Sequence, residues 1–527
     1  LFRSAGAAGS YPSSETLARC AAVCRKSRVL HWPLAFPTVF EKGGFDCILT
    51  NPPWDMLQVS EEEFFAPRDP SIAALTGAKR KSAIAKLEKD NPPLFNAFCD
   101  AVQWQNRINT YIGESGRFCL SAVGKLNLYS IITEVVFHVK RNTGTAGMVV
   151  PSGICTDSSN KALFAELVGT KSFVSLYDFE NAASGKKLFE AVDSRFKFSL
   201  LTLGPAESAD FAFFLGHPTD LAQTQRHFSL TSEDFALINP NTRTAPIFRS
   251  KADADLAKKI YARVGVLVDE TRTNGNPWGV SFKQGLFNMT SASDCFEEVP
   301  REGVLPLYEA KLIHQFDCRW ATYESDGRVR DVLCTEKRNP NFDIVPQYWI
   351  DADLVKTKLG GSFPDYLIGW RDVTNATNQR TVISSVIPAW GVGNNFDLIS
   401  TSQSALLNAC LIADFNSFAH DWCARQKIGG MHLNFFVVAQ IATLAPSAYS
   451  QDDIDFIMPR VLELTYTSHS LKGWAEALGY EGDPFVFDPE RRAILRAELD
   501  ARYAKLYGLH EQELRYILDP ADVYGED

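Results

Sequence analysis

The sequence predicts an α/β protein: a layered sheet in its first part, a mixed α+β region after it, and a helical tail. Three observations carry this. From residue 45 to residue 203, short apolar runs alternate with stretches of helical periodicity. Their succession of strand, helix, strand, helix, strand, strand is that of a layered sheet. Two of the runs end in proline-bearing loops, after Thr50 and after Val150, the strand ends at which open α/β sheets bind ligands. Beyond about Asn239 the chain becomes rich in Asn, Gly, Thr and aromatics, and after Pro446 it is again helical and charged. The domains are therefore expected at 1–245, 246–445 and 446–527, within the two to four that 527 residues suggest at about 150 each.

Each element follows from local chemistry. A small-residue opening, Ala5 to Ser14, leads into a helix over 14–25 and then Val29-Leu30-His31-Trp32-Pro33. Residues 45–50 read as a buried strand, preceded by Gly43-Gly44 and stopped by prolines. Residues 60–115 are helical and polar, with Glu61-Glu62-Glu63 near a helix start. An amphipathic helix over 126–139 is expected to end at Asn142 and Gly144. Residues 147–151 form a buried strand with a Ser152-Gly153-Ile154 loop, followed by a helix over 159–168 and strands over 173–179 and 196–203. Further on, helices are expected over 251–263, 405–422 and 489–507, with a β-like run at 381–387. There is no internal repeat and no low-complexity linker.

Composition narrows the class. With 45% apolar and 22% charged residues, sizeable cores are possible. No apolar stretch approaches the ~20 residues of a membrane span, and no basic segment plus apolar core opens the chain, so no membrane partner is expected. Eleven cysteines lack paired C-x-x-C spacing; Cys20 and Cys24 lie closest, without a His cluster. This argues against a metal site and for free thiols in a reducing cytoplasm. The net charge of −10 is a whole-chain sum, whereas nucleic-acid binding depends on local patches. Lys79-Arg80-Lys81, Lys186-Lys187, Lys337-Arg338 and the pair Arg425 and Lys427 are local candidates, though each alone reads first as a solvated surface run, so charge neither supports nor excludes DNA.

Asn51-Pro52-Pro53-Trp54, directly after the strand at 45–50, is the most informative feature. It suits methyl transfer to an exocyclic amine, whose nitrogen is a poor nucleophile because its lone pair is delocalised into the ring. A site that accepts both N–H bonds localises that lone pair. The Asn51 side-chain carbonyl and the Pro52 backbone carbonyl can supply the two acceptors. Consecutive prolines fix φ and make those acceptors rigid, and Trp54 offers a flat face for an extruded base. The alternative is a turn followed by a core Trp. Asn91-Pro92-Pro93-Leu94 shows that alternative: it follows the charged Lys86-Leu87-Glu88-Lys89-Asp90, lacks the aromatic, and reads as a turn or helix start.

The ordered motifs resemble the gamma-class adenine-N6 DNA methyltransferases, especially large methylase subunits of type IIG-like restriction–modification and phage-defence systems. The tetrad is similar to their motif IV, and His31-Trp32-Pro33-Leu34-Ala35-Phe36-Pro37 to the segment upstream of it. Gly124-Lys125-Leu126-Asn127-Leu128-Tyr129 resembles their helix start, and Gly147 to Gly153 their strand and loop. Residues 188–198 occupy the place of motif VIII, which implies that Phe189 stacks on the flipped base, with Phe196 and Phe198 as alternatives. Ile238-Asn239-Pro240-Asn241-Thr242 resembles the bridge into a target-recognition region. Segments at 308–317, 370–378 and 425–436 are similar to recurrent parts of that region. The resemblance covers roughly His31 to Ala445.

The resemblance implies a partial class I (Rossmann-like) methyltransferase sheet. It implies S-adenosylmethionine (S-adenosyl-L-methionine) as methyl donor, double-stranded DNA as partner, and the cytoplasm of a bacterial or archaeal cell as location. Catalysis would fall to Asn51, Pro52, Pro53 and Trp54. DNA contacts would come from Arg371, Arg425, Lys427, His432 and Asn434, with Gly429-Gly430 allowing close approach to a phosphate. The family's glycine-rich donor loop has no counterpart here, since Gly6-Ala7-Ala8-Gly9 follows no strand. About 45 residues before the tetrad's strand are too few for three earlier strands, so the expectation is an N-terminally truncated enzyme that binds S-adenosylmethionine poorly or not at all. A nuclease or helicase module is expected upstream or on a partner subunit. Two other readings stay open: a DNA sequence-specificity module without catalysis of its own, and methylation of a protein glutamine or an RNA adenine.

Overall fold

A computed structural model of the chain describes residues 13–181, 187–190, 197–376, 378–428 and 431–518. The architecture is mixed α/β, as the sequence predicts. Two compact units divide it: Leu1–Val150, Thr170–Ser175 and Leu200–Glu207 form the first, and Pro151–Gly169, Leu176–Ser199 and Ser208–Asp527 the second.

The first unit opens with helix α1, Ser14–Lys26, capped by the Ser13 hydroxyl, which accepts from the Thr16 N–H at 3.2 Å. Two proline-started turns follow, α2 at Trp32–Ala35 and α3 at Pro37–Glu41. Their rings gather around Phe45: Trp32, Phe36 and Phe40 meet it edge-on at 5.8, 5.5 and 5.8 Å. Strand β1, Phe45–Thr50, is expected to be buried and is not: every residue in it is half-buried or exposed, and Leu49 is 87% exposed. The reason is position, because β1 is the end strand of its sheet.

The helical segment foreseen for 60–115 is four helices, α4 Glu61–Phe65, α5 Pro70–Ala73, α6 Gly77–Asp90 and α7 Pro92–Glu114. Phe65, Ile72, Ile84 and Leu87 make their core, with Phe95 and Phe98 against it. Helix α8, Leu128–Val139, then passes without a loop into strand β2, Lys140–Val150. The predicted stop at Asn142 and Gly144 is thus displaced, both residues lying inside β2. Gly144 serves close approach instead, since a Cβ there would sit 2.6 Å from the Phe45 carbonyl oxygen, where the β1–β2 register shifts.

After β2 come α9 Gly153–Thr156, α10 Lys161–Gly169, β3 Phe173–Glu180, β4 Lys197–Leu203, β5 Ala209–Leu215 and β6 Phe228–Leu230. The six strands take the order β1-β2-β4-β3-β5-β6. β1 runs parallel to β2, with Thr50 opposite Met148, and β5 is antiparallel to β6. The parallel pairing sets the C-terminal ends of β1 and β2 side by side, within the first unit. In the second unit, α11 Ser232–Ile238 starts from a Thr231–Asp234 capping box and leads to α12 Lys251–Val264.

The mixed region of the second unit runs through β7 Ser281–Lys283, β8 Phe296–Glu297, β9 Val304–Tyr308, β10 Ala321–Tyr323 and β11 Val329–Asp331. It continues with α13 Cys334–Lys337, β12 Trp349–Asp351, α14 Ala352–Lys358, β13 Leu367–Arg371, β14 Ser384–Ile387, β15 Gly391–Val392 and β16 Phe396–Ser400. These strands form two four-stranded sheets, β14-β13-β16-β7 and β15-β9-β12-β8, and a β10–β11 ribbon. The single helix predicted over 405–422 is two, α15 Ala405–Phe415 and α16 Phe418–Arg425. Asn416 breaks it: its side chain accepts from the Ser384 N–H at 3.1 Å and donates to the Ser384 carbonyl at 2.9 Å, and Ser417 then caps α16. The chain ends in α17 Phe435–Val438, α18 Gln451–Thr465, α19 Lys472–Ala477, α20 Pro489–Leu506 and α21 Glu511–Leu518.

Candidate functional site

Asn51 leaves the C-terminal end of β1 exposed, Pro52 is buried, Pro53 is exposed and Trp54 is half-buried. The Trp54 indole N–H donates to the Val149 carbonyl on β2 at 3.2 Å, which holds the ring against the neighbouring strand. Behind the tetrad the loop is bolted down. Leu57 N–H donates to the Leu126 carbonyl at 2.9 Å, Leu128 N–H to the Asp55 carbonyl at 3.0 Å, and the Asn109 side chain to the Leu57 carbonyl at 3.0 Å. The Gly124-to-Tyr129 motif is therefore the clamp on the loop that follows the tetrad, and Asn127 caps α8 by accepting from Tyr129 N–H at 3.3 Å. Among the described residues, neither the Asn51 side-chain carbonyl nor the Pro52 carbonyl accepts a hydrogen bond. Two acceptors thus stand ready on a loop whose ends are fixed. Asn91, by contrast, spends its side chain on the Leu94 N–H at 3.3 Å and starts α7, the helix start the sequence predicts there.

In the second unit, the loop after β2 is tied to β3. The Ser152 hydroxyl donates to Asp178, and Ser199 donates to the same carboxylate oxygen at 3.1 Å. Asp178 is 2% exposed, and burial pushes its carboxyl above the usual range. Phe189 is 44% exposed, whereas Phe198 is 7% exposed and stacks on Phe179 at 5.3 Å. Of the alternatives to Phe189, Phe198 is thus a core ring, and Phe196 lies outside the described residues.

The five residues expected to face DNA part company. A cavity of about 560 Å³ brings Lys427, His432 and Asn434 together with Asp157, Asn239 and Thr242. Arg371 and Arg425 do not line it. Arg425 donates to Asp421 at 2.9 Å and to the carbonyls of Ala376, Asn378 and Gln379 at 2.9, 2.8 and 2.9 Å, so its fork is engaged within its own unit. Arg371 donates to the Ile313 carbonyl, and burial brings its pKa down to about 10. Lys427 donates to the Ile238 carbonyl at 2.6 Å and to the Asn239 side chain, with its ammonium 4.6 Å from the Tyr261 ring centre. Burial pushes its pKa well below the ordinary lysine value. Gly429 and Gly430 lie outside the described residues.

His432 is the most open of the set, with 56% of its side chain exposed. Its Nδ1 meets Asp372 Oδ2 at 2.7 Å; a carboxylate only accepts, so Nδ1 carries the hydrogen and Nε2 is left as the other polar atom of the ring. Asp372 in turn lies near Asp397, and both keep one buried carboxylate oxygen without a hydrogen bond among the described residues. Sequence reasoning passed over both carboxylates; the one signal was acidic residues set at Trp370-Arg371-Asp372 and Phe396-Asp397, against otherwise apolar strands. Asn434 occupies the cap position of α17 without bonding its backbone. Among the described residues no group of three or more His, Cys, Asp or Glu is placed to hold a metal ion, and no helix is long and apolar enough to cross a membrane.

No family model and no curated protein matches the sequence. Among solved structures, the chain is similar to the type IIG restriction endonuclease BpuSI, at 12% identity and a TM-score of 0.29, over 92% of this chain and 55% of that one. It is similar to the type IIL restriction–modification enzyme MmeI in complex with DNA, at 11% identity and a TM-score of 0.35, over 89% of this chain and 56% of that one. A nuclease-deletion mutant of the type ISP restriction–modification enzyme LlaGI, in complex with a DNA substrate mimic, matches at 9% identity and a TM-score of 0.31, over 81% of this chain and 42% of that one. The chain spans about half the length of these restriction–modification enzymes.

Proposed function

We propose that this chain carries the acceptor half of a site-specific DNA adenine-N6 methyltransferase in a restriction–modification or phage-defence system. The observation that carries the reading is the unengaged pair of acceptors, Asn51 side-chain carbonyl and Pro52 carbonyl, on a loop pinned at Trp54, Leu57 and Leu128. Accepting both N–H bonds of an adenine amine would localise its lone pair, and the rigid loop would hold that geometry without reorganising. Trp54 would stack on the flipped base. A positioned, rigid pair of acceptors of this kind contributes a large share of the barrier lowering, on the order of several kcal/mol.

The methyl group would come from S-adenosylmethionine, whose sulfonium supplies a good leaving group. The described residues do not fit that group: no strand leads into a glycine-rich turn with an acidic partner for ribose hydroxyls, and β1 is itself the end strand. Duplex DNA would be met in the second unit at the cavity that Lys427, His432 and Asn434 share. Arg371 and Arg425, whose guanidiniums bond backbone carbonyls, would act by shaping that region rather than by touching phosphate. A nuclease or helicase module on the same polypeptide or a partner subunit completes the proposal.

The test is Asn51→Ala in the enzyme assembled with its donor-binding portion. Methylation of duplex DNA should fall by at least about a thousandfold while gel-shift affinity is kept, in line with loss of a positioned hydrogen-bonding group. Activity near that of the unaltered enzyme would sink the assignment. The second reading, a specificity module without chemistry of its own, is supported for the chain by itself by the described residues, among which no strand leads into a glycine-rich turn. Calorimetry should then show no binding of S-adenosylmethionine to the chain alone, whereas micromolar binding would count against it.

A further inference from the structure

We infer that Asn181 is the positioning residue that presents Phe189 as a stacking face for an unpaired nucleobase; the inference rests on the proposed base-flipping reading. Asn181 follows the end of β3 and is fully buried. Its side-chain carbonyl accepts from the Phe189 N–H at 2.8 Å, and its side-chain NH2 donates to the Phe189 carbonyl at 3.2 Å. Its main-chain carbonyl also accepts from the Leu188 N–H at 3.0 Å. Both backbone groups of Phe189 are therefore taken by one carboxamide, as a neighbouring β-strand would take them. Asn alone can do this at this reach: Asp has no N–H to offer, and Gln is one methylene longer.

The ring held this way is not a core ring. Phe189 meets Phe198 at 4.8 Å with planes at 74°, an edge contact that occupies at most one face. Phe198 is itself fixed, stacked on Phe179 with planes 8° apart, and the two are 7% and 2% exposed. Buried aromatics thus anchor one side of Phe189, the carboxamide fixes its backbone, and the residue remains 44% exposed. The arrangement holds Phe189 in place while leaving it partly exposed, and a fixed, accessible ring is what sequence-tolerant base stacking needs.

The experiment uses the full chain and a DNA duplex carrying one extrahelical 2-aminopurine, with the fully paired duplex as control. Stacking on Phe189 should change the fluorophore's emission at saturating protein and favour the bulged duplex. Phe189→Ala should abolish the emission change and lower the bulged-to-paired affinity ratio by about tenfold, within the range of one base–aromatic stack. Asn181→Asp, which keeps the shape and the acceptor but loses the donor, should lower the same ratio severalfold and broaden the emission change, with paired-duplex affinity unaltered. Phe189→Trp should retain both signals. If Phe189→Ala removes the signals and Asn181→Asp leaves them untouched, the positioning role is wrong while base stacking stands. If Phe189→Ala changes nothing, the base-stacking reading fails and takes the inference with it.

Discussion

Asp397 is 3% exposed on β16, beside Asp372, and its pKa is pushed up to about 8, first by burial and then by that neighbouring charge. Its ordinary value unfolded is near ~3.9, so the folded state holds a proton that the unfolded chain has released. The stability this confers is full below about pH 4 and is lost as pH rises through about 8. Asp397→Asn should remove that contribution: the thermal midpoint of the variant should gain on that of the unaltered chain as pH rises from about 4 to about 8. Parallel curves would refute it. The same scale shows what a linear reading can reach. Asn51 was visible because its chemistry is written in four adjacent residues, where two prolines fix the backbone by themselves. The three carbonyls that Arg425 meets lie 46 to 49 residues upstream, and the partner of His432 lies 60 residues away, so their neighbourhood does not announce whether a side chain faces a ligand or its own backbone.

Elements were legible where a local signal starts or stops them. Proline at the start of α7 and α20, and Ser, Thr or Asp caps throughout, place those helices close to where the sequence puts them. Two stops were missed for opposite reasons. Gly144 looks like a helix terminator but is needed for the passage of β2 beside β1. Asn416 looks like a helix interior residue but pairs with β14 across the fold. Replacing Asn416 with Ala should therefore cost more than helix propensity suggests, about 1–3 kcal/mol, because the buried Ser384 N–H loses its acceptor and the Ser384 carbonyl keeps only the Phe316 N–H. Urea unfolding with an unchanged slope and a lowered midpoint would agree; a cost within a few tenths of a kcal/mol would not. At α20 the tie runs the other way: the Tyr503 hydroxyl donates to the Cys410 carbonyl at 2.6 Å, and that of Tyr507 to Asp414 at 2.7 Å, both on α15. Asp414 is fully buried, with its pKa pushed up to about 7 by burial.

At the scale of the molecule, the alternation that predicted a layered sheet is realised in the β1-β2-β4-β3-β5-β6 order, while the β-rich second half assembled from pairings between β7 and β16 that no periodicity announces. The helical tail belongs to the second unit and is no appendage. Arg319, 1% exposed, donates to the carbonyls of Lys337, Asn339, Phe342 and Thr467, and Arg492 to those of Leu464 and Phe316. Deleting residues 489–527 should therefore unravel the second unit, seen as loss of protease resistance across 246–445; a resistant fragment of that span would contradict this. β1 has a consequence for how the protein behaves in a tube. Among the described residues its outer edge has no partner strand, and Leu49 on it is 87% exposed. A parallel strand with a bare hydrogen-bonding edge is a template for another chain. Self-association should therefore rise with protein concentration, and a single charge at the edge, Leu49→Lys, should suppress it in sedimentation velocity runs. Concentration, rather than heat, would then set the working range of the isolated chain.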